Sequence, residues 1–208
     1  MRLELPHFEI EGEYGANQEK YTDFWLHLGG CAATCACESA LLFKKYHGLS
    51  EAYPYDTDEV TREQFNTFTL EMKPYLRPRM MGIDKLSLYM DGFGAYLHDR
   101  GVDCIRIGEL PGEVPYEQAE EAVRREFEKG FPVPALTLRH KDKKFFDFDW
   151  HWYLINGFEE REDGFYVRLA SWGEYVWVSF RELWETGYER RGGLILYDME
   201  EQTANTQL

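Results

Sequence analysis

The stretch from Trp25 to Tyr46, WLHLGGCAATCACESALLFKKY, constrains the fold more than any other part of the chain. After a Gly-Gly pair the side chains turn small and apolar, and Ala33, Ala36, Cys37, Ala40, Leu41 and Lys44 recur at three- and four-residue steps. That spacing predicts a helix from Cys31 to Tyr46, beginning at or just after Gly30 and buried along much of its length. Three of the four cysteines of the chain fall in its first seven residues, as C-x3-C-x-C.

The remaining patterns place this helix in an α+β chain. Residues 1–24 are polar and punctuated by glycine, which predicts extended and turn structure. Thr61 and Gln64 are spaced as a capping box before a short helix that ends by Pro74. A further helix is predicted over Ser87–Arg100, stopped by Gly101, and another over Tyr116–Lys129, stopped by Gly130. VDCIRIG and Pro134–Leu138 read as strands. HWYLINGFEE, GFYVRLASWG and YVWVSF follow as strands rich in aromatic and β-branched residues, with turn signals at Asp163-Gly164 and Gly173-Glu174. FRELWETG reads as a short helix, GGLILYD as a last strand, and 203–208 as a frayed end. The expected organisation is one domain over 1–208, mainly helical over 1–130 and mainly β-sheet over 131–200.

Charge and cysteine usage exclude several classes of function. With a formal net charge of −15, the chain is a poor partner for nucleic acid or an anionic membrane, both of which are bound through clustered Lys and Arg. Its apolar runs are far shorter than the roughly 18 residues of a membrane span. Glu4, Glu9 and Glu11 stand where a signal peptide needs an apolar core, so a cytoplasmic protein is expected. In that compartment thiols stay reduced, which argues against a disulfide framework.

A metal or cofactor site is not expected either. On a helix Cys31 and Cys35 share a face while Cys37 points elsewhere, and Cys104 lies alone in a strand, so the thiols do not converge on one ion. Cys35, Cys37 and Cys104 read as small core residues. Cys31 differs by position, because a helix N-terminus offers unpaired N–H groups and partial positive charge to a thiolate or to a developing oxyanion. The adjacent glycines are expected to let a substrate backbone come close.

A thiol nucleophile needs a base. Of six histidines, His47, His98 and His140 lie at helix ends or in a charged turn and read as surface residues, while His7 and His27 carry no signal. His151 opens an apolar strand between Trp150 and Trp152, where its ring nitrogens must find partners. It is either a base for Cys31 or a hydrogen-bonded core histidine.

The order GGCAATCACESALLF, a helical middle, GFPVPALTLRH, and HWYLINGFEEREDGFYVRLASWGEYVWVSF resembles the papain-like cysteine peptidases, and within them the branch of bacteriocin-processing, double-glycine-leader peptidases, over about residues 17–184. The resemblance implies a Cys-bearing helix packed on an antiparallel sheet, with Cys31 as nucleophile, His151 as base and a peptide or protein as substrate. Two positions depart from the pattern. Ala170 stands before Ser-Trp-Gly where the family carries the Asn that orients the base, leaving Ser171 or Asp149 for that role. Trp25 stands six residues before the nucleophile where the family carries an oxyanion-hole Gln, which leaves Gln18, thirteen residues before Cys31, as the amide candidate. The expected reaction is hydrolysis of a peptide or other amide through a Cys31 thioester. Acyl transfer of the transglutaminase type and a non-catalytic peptide-binding module on the same fold are the alternatives.

Overall fold

A computed structural model of the chain describes residues 1–80 and 82–200; the end expected to fray, 203–208, lies outside the described residues. In chain order the elements are β1 (Arg2–Glu4), β2 (Glu9–Ile10), β3 (Glu13–Tyr14), a 3-10 turn at Gln18–Lys20, α1 (Phe24–Gly29), α2 (Cys31–His47), α3 (Arg62–Met72), α4 (Leu86–Asp99), β4 (Ile105–Pro111), α5 (Tyr116–Glu128), β5 (Val133–Thr137), a 3-10 segment at Lys143–Phe148, β6 (His151–Arg161), β7 (Gly164–Ser171), β8 (Glu174–Ser179), α6 (Phe180–Trp184) and β9 (Gly192–Met199), with a further 3-10 turn at Ser50–Ala52. The fold is mixed α+β.

A seven-stranded antiparallel sheet forms the middle layer, six strands in the order β4-β9-β5-β6-β7-β8 and β1 paired to β6 off that path. Strand β6 is its axis: its first half pairs with β5, from Thr137 opposite His151 to Val133 opposite Ile155, and its second half with β1, from Glu4 opposite Gly157 to Arg2 opposite Glu159. The division of the chain at residue 130 is therefore softer than its composition indicates, because β1 and β4 join the sheet from the first part.

Side chains alternate between the faces of a strand, and this sheet is buried on both. Trp152, Leu154, Ile195 and Tyr197 face a core shared with α2, α3 and α4. Tyr153, Ile155, Val167 and Leu169 face a second core with α5 and α6. Each large side chain so buried contributes roughly 1.5–3 kcal/mol relative to exposure. Helix α2 lies deepest, with every residue from Cys31 to Phe43 buried. Alanine, serine and cysteine let neighbouring layers close on it from all sides, which a helix of larger side chains would hold apart.

Helix α3 opens with the expected capping box, Thr61 accepting from the Gln64 N–H and Gln64 from the Thr61 N–H. Helix α1 was not foreseen. Asp23 accepts from the Trp25 and Leu26 N–H groups, and a single turn forms before the chain bends at Gly30 into α2. Among the described residues no helix is long and apolar enough to cross a membrane.

Candidate functional site

The bend between α1 and α2 delivers Cys31 to the sheet. Gly30 sits so close to the preceding turn that a Cβ there would lie 2.3 Å from the Leu26 carbonyl oxygen, and one on Gly29 would lie 2.9 Å from that of Arg79. The glycine pair is thus explained by packing of the two helices and of the 78–80 segment, which corrects the expectation that it opens room for a substrate.

Backbone N–H groups of Cys31, Ala32 and Trp152 act on the Cys31 thiol to favour its thiolate. The first two are the free donors of a helix N-terminus. The third belongs to the residue after His151, so the thiol abuts the start of β6. Cys31, His151, Gln18 and Ser171 line one cleft, together with Ala16, Thr34, Cys35, Glu38, Trp152, Ala170 and Trp172. Its free volume of about 10 Å3 has room for roughly one water or one carbonyl oxygen.

His151 is held from two directions. Its Nε2 and the Ser171 hydroxyl are 2.7 Å apart, and its ring lies flat on Trp172, centroids 4.1 Å apart and planes 7° from parallel. Nδ1 has no protein hydrogen bond among the described residues. Of the two orienting candidates, Ser171 meets the imidazole, whereas Asp149 makes no hydrogen bond to it and its buried Oδ1 has no partner among the described residues.

Both tryptophans flanking this imidazole occupy left-handed backbone. Trp150 has φ 55° and Trp172 φ 53°, a conformation that costs a bulky residue about 1 kcal/mol or more. Trp172 and Gly173, both at positive φ, form the two-residue turn between β7 and β8, a type I′ geometry that favours Asn, Asp and Gly. Stacking on His151 holds the tryptophan there. The ring is thereby fixed as a wall of the cleft.

Gln18 reaches the cleft by a path the sequence does not display. The segment before it is pinned to the tip of the β7–β8 hairpin, where the Gly173 N–H donates to the Ala16 carbonyl at 3.0 Å and the Tyr14 N–H to that of Gly173 at 2.8 Å. It is also pinned to α2, because the Ala16 N–H donates to Glu38 Oε1 at 2.8 Å. Helix α1 then loops outward and back to Cys31. The Gln18 amide N–H2 meets the His27 carbonyl at 3.4 Å, a long contact that leaves it exchangeable. Trp25 is 43% exposed and lines a separate groove with Leu70, Pro74 and Met80.

Electrostatics favour the uncharged forms. Burial pushes the Cys31 thiol up against the pull of its three N–H groups, and burial lowers His151 to about 3. Both directions favour a neutral thiol and a neutral imidazole. Cys35 and Cys37, deeper in α2, are raised well above the ordinary thiol range by burial and by Glu38.

Glu38 is the site residue that sequence reasoning missed. It stands seven residues after Cys31, a lone carboxyl in a run of Ala, Cys, Ser and Leu, and that isolation was the available signal. Burial lifts its carboxyl to about 8. Beside it, 3.9 Å away, is His7 Nε2. The His7 side chain is buried with both ring nitrogens unpartnered, and burial followed by Arg168 lowers it to about 3. His140, expected at the surface, is 4% exposed; its ring bonds the Glu182 carbonyl and the Asp142 N–H and turns the chain into the 143–148 segment.

Among the described residues no group of three His, Cys, Asp or Glu side chains is arranged to hold a metal ion. No protein-family model, curated protein or solved structure matches the chain.

Proposed function

We propose that the protein is a thiol hydrolase of papain-like design, cleaving a peptide or other amide bond through a thioester on Cys31. One observation carries the reading: a cysteine at the first turn of a buried helix and a histidine at the start of a strand line the same cleft, with Nε2 of the histidine bonded to Ser171 and no protein hydrogen bond on its Nδ1 among the described residues.

The reaction follows from these positions. In the tautomer that donates Nε2–H to Ser171, Nδ1 takes the Cys31 proton as the sulfur attacks the carbonyl carbon. The oxyanion is held by the Cys31 N–H, with the Gln18 amide released from the His27 carbonyl as second donor. Collapse breaks the C–N bond, and the departing nitrogen takes the proton from Nδ1. Water then gives a proton to Nδ1 and adds to the thioester carbonyl; expulsion of sulfur yields the acid, and the proton returns to Cys31. Starting from a neutral pair, proton transfer and attack occur together, because a preformed ion pair would be charge without solvent in this cleft.

That starting point gives a test that needs no substrate. Between the two macroscopic pKa values of a coupled pair its proton count is constant. Alkylation of a His-assisted Cys31 by iodoacetamide, mapped to each cysteine by mass spectrometry, is therefore nearly flat in rate from pH 5 to 8. An unassisted buried thiol reacts about tenfold faster per pH unit, since only its thiolate reacts. A flat profile that His151→Gln converts to a slope supports the hydrolase. A sloped profile in the wild type supports the other reading, a peptide-binding module without the chemistry, which Ala170 and the neutral resting pair favour.

A further inference from the structure

On the His151 side of the cleft a second basin opens, lined by Leu138, Arg139, Lys141, Trp150, Tyr188 and Arg190, with Gly187 and Glu189 completing the rim, and holding about 750 Å3 of free space. It begins one residue from His151, at Trp150. Its walls are rigid: the Leu138 N–H donates to the Arg191 carbonyl at 3.1 Å, the Trp150 N–H to that of Leu138 at 3.0 Å, and the Lys141 N–H to that of Thr186 at 2.9 Å.

The charge of this basin opposes that of the chain. Arg139 lies over the Trp150 ring at 5.8 Å and Lys141 over that of Tyr188 at 5.3 Å. Neither has a carboxylate within salt-bridge reach among the described residues, whereas Arg190 is paired with Asp84 at 2.8 Å. Aromatic faces hold the two cations without neutralising them. At Gly187, φ 82°, a Cβ would lie 2.7 Å from Lys141 Cδ, so the lysine stem packs close against the backbone while its ammonium lies over Tyr188 in the basin wall. Glu189 and the two cations leave a net positive rim in a protein of net charge −15. At physiological ionic strength charges more than about 8 Å away are largely screened, so an incoming ligand senses this rim before the acidic remainder.

We infer that this basin binds the acidic segment of a peptide whose reacting carbonyl lies at Cys31, Arg139 and Lys141 engaging Asp or Glu side chains beside the scissile bond. Its link to catalysis rests on the hydrolase reading; the binding itself does not. An acidic peptide is favoured over an anionic polymer because the cationic rim is confined to one concave basin whose wall at Trp150 adjoins His151 in the chain, without the extended basic track a polymer backbone requires.

The test uses the Cys31→Ala protein, which binds without turnover, on a peptide array in which net charge and apolar content vary independently. Enrichment of acidic peptides is expected. Affinity for an enriched peptide, measured by fluorescence anisotropy, should fall at least about tenfold in the Arg139→Ala/Lys141→Ala double variant and with rising salt, and recover in Arg139→Lys/Lys141→Arg. Both positions are exposed, so the fold survives these changes. Selection of neutral or basic peptides, no selection at all, an unchanged double variant, or displacement by a single-stranded oligonucleotide in preference to acidic peptide overturns the proposal. If Cys31 labelling shows no His assistance while acidic peptides are still selected through Arg139 and Lys141, the basin stands and the hydrolase falls; the reverse pair of results removes the basin alone.

Discussion

Two buried imidazoles lie near α2, and burial lowers both to about 3. His151 is bonded through Nε2 to Ser171, stacked on Trp172, and borders the cleft of Cys31. His7 packs between Phe8 and Tyr14, neither nitrogen has a partner, and its nearest polar neighbour is the Glu38 carboxyl at 3.9 Å. Shared burial gives the two rings the same shift. What separates them is geometry: one ring is bonded, stacked and lines the cleft that Cys31 also lines, while the other is buried with neither nitrogen partnered. A strongly shifted histidine is therefore no guide to a site until its two nitrogens have been accounted for.

Exchanging each ring for glutamine should give the widest separation. At pH 5, His151→Gln is expected to slow Cys31 alkylation by about a hundredfold or more, the usual range for loss of a general base, while His7→Gln leaves the rate within about twofold. Equal effects would erase the distinction.

Glu38 sharpens it through stability. Its carboxyl is raised from 4.5 to about 8 in the fold, so the unfolded chain releases the proton first. The contribution is fully present below pH 4.5 and is lost as pH rises toward 8. Glu38→Gln keeps an acceptor for the Ala16 N–H without that loss. Thermal melts should show the variant more stable than wild type at pH 8 by on the order of a few kcal/mol and alike at pH 4; a wild-type melt flat across this range would mean the acid is not held neutral.

Ser171→Ala removes the outer bond of His151 and nothing else in the cleft. A net hydrogen bond is worth about 1 kcal/mol, or roughly fivefold in rate. The alkylation plateau should drop by that factor and remain flat, because orientation is weakened while the base persists. Loss of the plateau itself would show that Ser171 sets the tautomer.

The smallest effect is expected at the sealed ring. Both histidines are held neutral, so the unfolded chain gains protons before the fold does, and stability falls as pH drops from 6.5 toward 3. Replacing His7 with Phe removes one such group and two unpartnered nitrogens. The variant should recover about 1 kcal/mol at pH 5.5 relative to pH 7 in urea titrations.

Much of this was legible in the chain. The three- and four-residue periodicity of Ala33 to Lys44 located α2 to within a residue of its end, Thr61 and Gln64 marked the start of α3, and alternating aromatic and β-branched residues gave β6 to β8. Cys31 and His151 stood out by their positions at element starts. Helix α1 was hidden because six residues of mixed polarity carry too little periodicity. His140 was misjudged since RHKDKK is polar in composition although the ring turns inward. His7 gave no signal, for its burial comes from packing against Tyr14 and Glu38, which only the folded chain brings to it.

Local sequence settled what depends on near neighbours: which segments become helix or strand, where they begin, and that a small-residue helix must lie inside. Convergence belonged to the tertiary structure. Gln18 comes to the cleft because the tip of the β7–β8 hairpin and Glu38 hold the Gly15–Asn17 segment between them; Ser171 meets His151 because antiparallel pairing brings the end of β7 beside the start of β6. Those contacts join residues far apart in the chain, and their geometry is fixed by the packing of whole layers, which no local pattern encodes.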